Sequence, residues 1–292
     1  MQVLERGSGA PLLMLHGFPD HAASWRPLAE RLGTGIRQLA PDQRGYRLTS
    51  RPTAIADYAI NVLVDDLIGL LDALGLQTVH VCGHDWGGVL AFELALRCPH
   101  RVVGVIALNA PPASVLQDMI YRDPAQRAAS QYVSRLRSNA ADSMFRDGVV
   151  DALIDRFLGD AAQRGLVNAD DLAAYREAWT QPGAWQAMLA WYRAAPFIVP
   201  EVDAAAPADQ VDDAPVVSIA CPVMVIWGER DGVFVPAMPD AIARVCRSCR
   251  IVRLPDAGHV PHRDAPEVCA ALIRDFVLGT SIQSSTKVET HG

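Results

Sequence analysis

The segment Gly83-His84-Asp85-Trp86-Gly87 constrains this chain more than any other feature. It follows a short apolar run, Val79 to Cys82, and leads into a stretch of helical character, Gly87 to Arg97. A strand that turns sharply into a helix crowds the residues two before and two after the tip, so both places call for glycine. The tip residue then projects above the sheet, beside a helix N-terminus that favours an anion. The pattern is that of a nucleophile elbow, with Asp85 where serine is familiar. A lone aspartate at this place can equally serve as a helix N-cap.

The flanking sequence supplies the frame. Leu12 to Leu15 reads as a buried strand ending in the turn His16-Gly17-Phe18-Pro19, and Ile36 to Ala40 as a second strand stopped by Pro41. Asp57 to Leu74 has apolar residues at helical spacing, with Gly75 as a stop signal. Val102 to Leu108 continues the strands after the elbow. Strands alternating with helices imply parallel βαβ units and a mostly parallel, doubly wound α/β sheet. The rhythm breaks between Pro112 and Pro215, which holds amphipathic helical patterns, and resumes with a strand in Pro222 to Trp227. A helix near Pro239 to Val245, a strand at Ile251 to Leu254 and a closing helix at Ala265 to Leu278 follow. The expected organisation is a core of residues 1–111 and 216–280, a helical cap of 112–215 and a polar tail of 281–292. Two linker-like stretches, at Asp203 to Ala208 and Asp212 to Pro215, suit the return from cap to core.

Half of the 292 residues are apolar, enough for a sizeable core. The net charge of −7 comes without a basic cluster, which argues against nucleic acid and anionic membranes as partners. No apolar run is long enough to span a bilayer, and the N-terminal segment lacks the order of a secretory signal, so a cytoplasmic location is expected. The six cysteines follow no disulfide framework. Cys246 and Cys249 form a CxxC without the second ligand pair that a zinc site requires, and neither a metal nor another cofactor is expected.

Two further residues stand directly after strands. Asp231 follows the run ending at Trp227, and His259 follows the run ending at Leu254. The chain order of nucleophile, acid and histidine is that of α/β-hydrolases, not of chymotrypsin or subtilisin. An oxyanion hole is expected from the backbone N–H groups of Phe18 and Trp86. An aromatic residue before Pro19 also raises the chance of a cis peptide bond. The segment Asp42 to Tyr46 reads as a loop organiser.

HGFP, DQRG, GHDWGG, WGERD and AGH occur in that order. Together they make the chain resemble the epoxide hydrolase and dehalogenase branch of the α/β-hydrolase fold, over residues 3–110 and 216–278. The resemblance implies Asp85 as nucleophile, with Asp231 and His259 as the pair that activates water. Members of this branch usually carry an additional first strand before the VLERGSG segment, so that end of the sheet is expected to be trimmed. In the cap, Tyr192 lies in a WYR segment similar to that of epoxide hydrolases, and Tyr132 fits a looser pattern, with Tyr121 as its rival.

An aspartate nucleophile decides the reaction class. A serine leaves an acyl-enzyme, whereas a carboxylate opens a carbon electrophile and becomes an alkyl ester. Water activated by His259 must then hydrolyse that ester. The expected reaction is opening of a small-molecule epoxide to a vicinal diol, with the cap phenols of Tyr192 and Tyr132 protonating the oxygen. Phe18, Trp86 and Trp191 are the expected substrate contacts. The alternative is a haloalkane dehalogenase, in which indoles of Trp86 and of Trp179, Trp185 or Trp191 hold the halide. Fluoroacetate-type dehalogenases do not fit, since Trp86 stands where they carry arginine and no histidine lies between His100 and His259. A ligand-binding member of the fold without catalysis is the third possibility. The oligomeric state is not readable from the sequence.

Overall fold

The computed structural model describes residues 1–144, 149–204 and 218–279. Seven strands form one sheet: β1 (Val3–Arg6), β2 (Gly9–Leu15), β3 (Gly35–Pro41), β4 (Val79–His84), β5 (Val102–Leu108), β6 (Val223–Gly228) and β7 (Cys249–Leu254). Their order across the sheet is β1-β3-β2-β4-β5-β6-β7, and every pairing is parallel except β1 with β3. β1 escaped the sequence reading because Leu4, Glu5 and Arg6 are exposed on an edge and show no buried run. In the core, α1 (Arg26–Ala29), α2 (Ile60–Ala73) and α3 (Trp86–Arg97) lie between strands β2 and β5 in the chain. α2 starts later than its apolar spacing suggests. Ala59 is extended, with ψ of 143°, and separates it from a 3-10 turn at Ile55–Tyr58.

The interval between β5 and β6 carries helices alone among the described residues. They are α4 (Ala113–Arg122), α5 (Pro124–Ala129), α6 (Gln131–Arg137), α7 (Ala140–Met144), α8 (Val150–Gln163), α9 (Ala169–Trp179) and α10 (Ala184–Ala194). After β6 come α11 (Met238–Arg244), α12 (Pro261–Asp264) and α13 (Pro266–Leu278). The expected linker beyond Ala204 and the expected tail of 281–292 lie outside the described residues. No helix among the described residues is long and apolar enough to cross a membrane.

Period-two alternation in the strands builds two apolar layers. Leu13, Leu15, Leu39 and Val81 face the layer containing α2 and α3, while Leu12, Met14, Ala40 and Cys82 face the layer containing Cys269, Ile273 and Val277 of α13. Because both faces are covered, the central strands read as unbroken apolar runs. β3 lies on one side of β2 and β4 on the other, so the chain reverses its direction of travel at β2. A crevice opens there beyond the carboxyl ends of the strands, where ligands bind in open α/β sheets. Phe18 follows β2 and Asp85 follows β4, one on each side of it.

Candidate active site

The elbow is as tight as its glycines imply. A Cβ on Gly83 would lie 2.3 Å from the Gly87 carbonyl oxygen, and one on Gly87 would lie 2.0 Å from that of Leu15. Asp85 itself has φ 51° and ψ −123°, in the region that non-glycine residues rarely occupy. Its side chain does not cap α3. Instead Oδ1 accepts a hydrogen bond of 2.9 Å from the Phe18 backbone N–H. Asp85 is therefore held for contact with the crevice, not for capping. The Phe18–Pro19 peptide bond is cis.

The three residues converge. His259 Nε2 stands 3.6 Å from Asp85 Oδ2, and its Nδ1 bonds Asp231 Oδ2 at 2.9 Å. Asp231 is fixed in turn: Asn109 Nδ2 donates to Oδ2 at 2.7 Å and the Val233 amide donates to Oδ1 at 2.6 Å. Asn109 also clamps Gly228 through both of its amide atoms. Sequence reading missed Asn109. The available signal was an Asn at a strand end, where a positive φ (here 40°) is best tolerated.

Electrostatics favour an ion-paired resting state. Burial opposes the charge on His259, but the carboxylates of Asp231 and Asp85 outweigh it and push the imidazole up to about 10. Burial likewise opposes ionisation of Asp85, yet His259, His84 and the Phe18 amide hold its carboxyl below the usual range. For Asp231, burial is again outweighed, here by His259, Asn109 and the Val233 amide.

A cavity of about 450 Å³ opens over Asp85 and is lined by Phe18, Tyr132, Tyr192 and His259 among others. Tyr192 comes from α10, whose C-terminal carbonyls are gathered by Arg137: Nε bonds the Tyr192 oxygen at 2.8 Å and Nη2 the Ala195 oxygen at 2.7 Å. Tyr132 comes from α6, its ring 6.1 Å from that of Tyr192. Burial raises both phenols, seconded by the charge of Asp85 at Tyr132 and by Tyr132 and then Asp85 at Tyr192, so each remains a proton donor at neutral pH. Tyr121 does not line this cavity, and the partner of Tyr192 there is Tyr132.

One expectation about indoles needs correction. Trp191, expected as a substrate contact, is turned away from the cavity. One residue on from it in α10 is about 100° around the helix, so Tyr192 faces the cavity while Trp191 packs on Trp86 and Tyr46 and donates Nε1 to the Arg44 carbonyl at 2.9 Å. The Trp86 ring borders a small side recess shared with Asp85, Tyr132 and Tyr192, not the main cavity. It packs edge-on against the Tyr192 ring, with centroids 5.4 Å apart. Trp179 does line the cavity, but its N–H is committed to the Pro19 carbonyl at 2.9 Å.

Beneath the triad lies a buried polar network that sequence reading also missed. Asp20 Oδ1 accepts from Arg263 Nη2 at 2.9 Å and from the Tyr175 hydroxyl at 2.5 Å. His84 Nε2 bonds the His259 carbonyl oxygen at 2.9 Å, which ties the network to the backbone of His259. Asp20, His84 and His262 bring potential metal-ligand atoms within 4.8 Å of one another, although Arg263 already supplies a cation to the carboxylate. Burial lowers both histidines, His84 to about 4, so they are neutral. Arg263→Met should cost about 3–5 kcal/mol, because it strands a buried carboxylate. Asp20→Asn combined with Arg263→Met should recover part of that loss. Thermal unfolding of both variants checks this, and a double variant no more stable than the single one contradicts it.

The chain matches the family model for the alpha/beta hydrolase fold over residues 10–266. It is 32% identical to epoxide hydrolase A of Mycobacterium tuberculosis, over 97% of this chain and 95% of that one. The chain belongs to the α/β-hydrolase fold family, in its epoxide hydrolase branch. As a member of this family it is a hydrolase. Another α/β-hydrolase relative, the AB hydrolase superfamily protein YfhM of Bacillus subtilis, is 31% identical over 93% of this chain and 91% of its own length. The crystal structure of Bacillus megaterium epoxide hydrolase in complex with an inhibitor aligns with a TM-score of 0.84 at 26% identity, covering 95% of this chain and 96% of that one.

Proposed function

We propose that this hydrolase opens an epoxide to a vicinal diol through a covalent ester on Asp85. The observation that carries the reading is the division of labour in the cavity wall. Two phenols, Tyr132 and Tyr192, line it with the nucleophile, whereas the indole N–H groups of Trp179 and Trp191 are bonded to backbone carbonyls. An alkoxide leaving group needs proton donors, which phenols supply. A halide needs free N–H groups, and those two indoles have none to give. The dehalogenase alternative is disfavoured on this ground.

In the proposed sequence Asp85 Oδ2 attacks a ring carbon, the C–O bond breaks, and a tyrosine delivers its proton to the departing oxygen. Oδ1 already accepts from Phe18 N–H and becomes the ester carbonyl oxygen. Alkylation removes the charge of Asp85, one of the two carboxylates that hold the proton on His259. The imidazolium then falls below its resting value of about 10, returns its proton to the tyrosinate left by ring opening, and as neutral imidazole can serve as a base. It takes a proton from water, whose oxygen attacks the ester carbon. The oxyanion forms on Oδ1, where the amides of Phe18 and Trp86 receive it. Collapse releases the diol with Oδ2 and restores the carboxylate. The substrates are a small epoxide and water, in a cytoplasmic setting and with no cofactor.

Isotope labelling tests the covalent route. A single turnover in ¹⁸O-water, with enzyme in excess, should give unlabelled diol and place ¹⁸O in the peptide containing Asp85. Label in the diol of the first turnover would mean direct attack by water, and the ester mechanism would be wrong.

A further inference from the structure

The arginines of the cap fall into two groups. Arg122, Arg164, Arg176 and Arg193 form ion pairs with carboxylates, and Arg127 and Arg137 hold backbone carbonyls. Arg135 and Arg156 have neither kind of side-chain partner among the described residues. These two, alone among the arginines of the described cap, line the cavity over Asp85. They come from different helices, α6 and α8, and both are exposed while Asp85 is buried, so they stand at the outer end. The chain is acidic, with a net charge of −7, and carboxylates satisfy most of the other cap arginines. Two guanidiniums on one cavity without partners among the described residues therefore mark a local exception.

We propose that Arg135 and Arg156 form an anion subsite, and that the preferred substrate is an epoxide carrying a carboxylate at the far end of an apolar body. The proposal rests on the epoxide reading of the site. The cavity imposes the orientation. Its inner end holds two carboxylates, Asp85 and Asp231, with the single His259 imidazolium between them, while Arg263 there is paired with Asp20. The net negative charge disfavours an anion but accepts a neutral three-membered ring. Its middle is walled by Phe18, Leu136, Leu153 and Phe157, which suit an apolar chain. Its outer end offers planar guanidinium donors, matched to a carboxylate in shape and charge. Tyr132 and Arg135 lie three residues apart on α6, so one helix would present the proton donor to the ring and a cation to the tail.

The test compares two terminal epoxides of equal chain length, one ending in a carboxylate and the other in the primary amide. For each enzyme the ratio of kcat/KM for acid over amide is measured, so that differences in active fraction cancel. Exposed charge contacts are modest, and two together should give the wild type a preference of about tenfold for the acid at low salt. The ratio should fall toward one in the double variant Arg135→Gln/Arg156→Gln, and also in the wild type at about 1 M salt, where screening is short-ranged. Turnover of both epoxides at equal kcat/KM by the wild type would overturn the subsite and leave the epoxide reading standing. A preference for the acid that survives both the substitutions and the salt would overturn it as well. If neither these nor a simple neutral epoxide is opened, the epoxide reading fails, and the subsite fails with it.

Discussion

Replacing His259 by glutamine should reduce steady-state turnover by roughly 10⁴-fold while the enzyme still reacts once with its substrate. The two half-reactions ask different things of the histidine. On the proposed route, opening the epoxide uses the carboxylate of Asp85 and the cap phenols, neither of which is lost. Hydrolysing the ester requires a base, and glutamine has none. Intact-protein mass spectrometry should therefore find the variant shifted by the mass of one substrate molecule, with the adduct in the peptide containing Asp85. The variant also reports on electrostatics. The His259 imidazolium helps hold the Asp85 carboxyl below its usual range against a burial cost that remains after the substitution. The carboxyl of the variant should titrate higher, so the acid limb of the adduct-forming step should move to higher pH. A variant that turns over at the wild-type rate, or that loses activity without ever carrying an adduct, contradicts the assignment of His259 as the base for the second step.

The core strands and the convergence of Asp85, Asp231 and His259 were legible because local chemistry dictated them. Gly83 and Gly87 could be read as steric requirements, and the structure brings backbone carbonyls to within 2.3 Å and 2.0 Å of where their Cβ atoms would be. Asp231 and His259 announced themselves by standing directly after apolar runs, where a parallel sheet gathers its loops at one end. What failed was long-range or rotational. The Asp20–Arg263 pair spans almost the whole chain, and nothing in the neighbourhood of either residue signals the other. β1 was missed because an exposed edge strand has no burial pattern to read. Trp191 was misassigned because WYR places two aromatic residues side by side, and only packing decides which one of them faces the cavity. The Arg44 carbonyl takes the Trp191 N–H and so turns Tyr192 toward Asp85.

Tyr192→Phe should slow the alkylation step by between about ten- and ten-thousandfold, the range for losing acid assistance, while leaving hydrolysis of the ester untouched. Removing Tyr132 should cost less. The Tyr192 ring is held edge-on against Phe18 at 5.1 Å and Trp86 at 5.4 Å, which fixes its place in the cavity wall. Two phenols serving one oxygen soften the loss of either, so Tyr132→Phe combined with Tyr192→Phe should exceed the larger single effect. A dehalogenase would behave differently, because halide departure needs no proton. Its damaging change would be Trp86→Phe, and the tyrosine variants would keep their rates. Single-turnover alkylation of each variant, on an epoxide and on a bromoalkane of matched size, separates the two chemistries. Epoxide opening at the wild-type rate in Tyr192→Phe would remove this phenol from the mechanism and return the indoles to consideration.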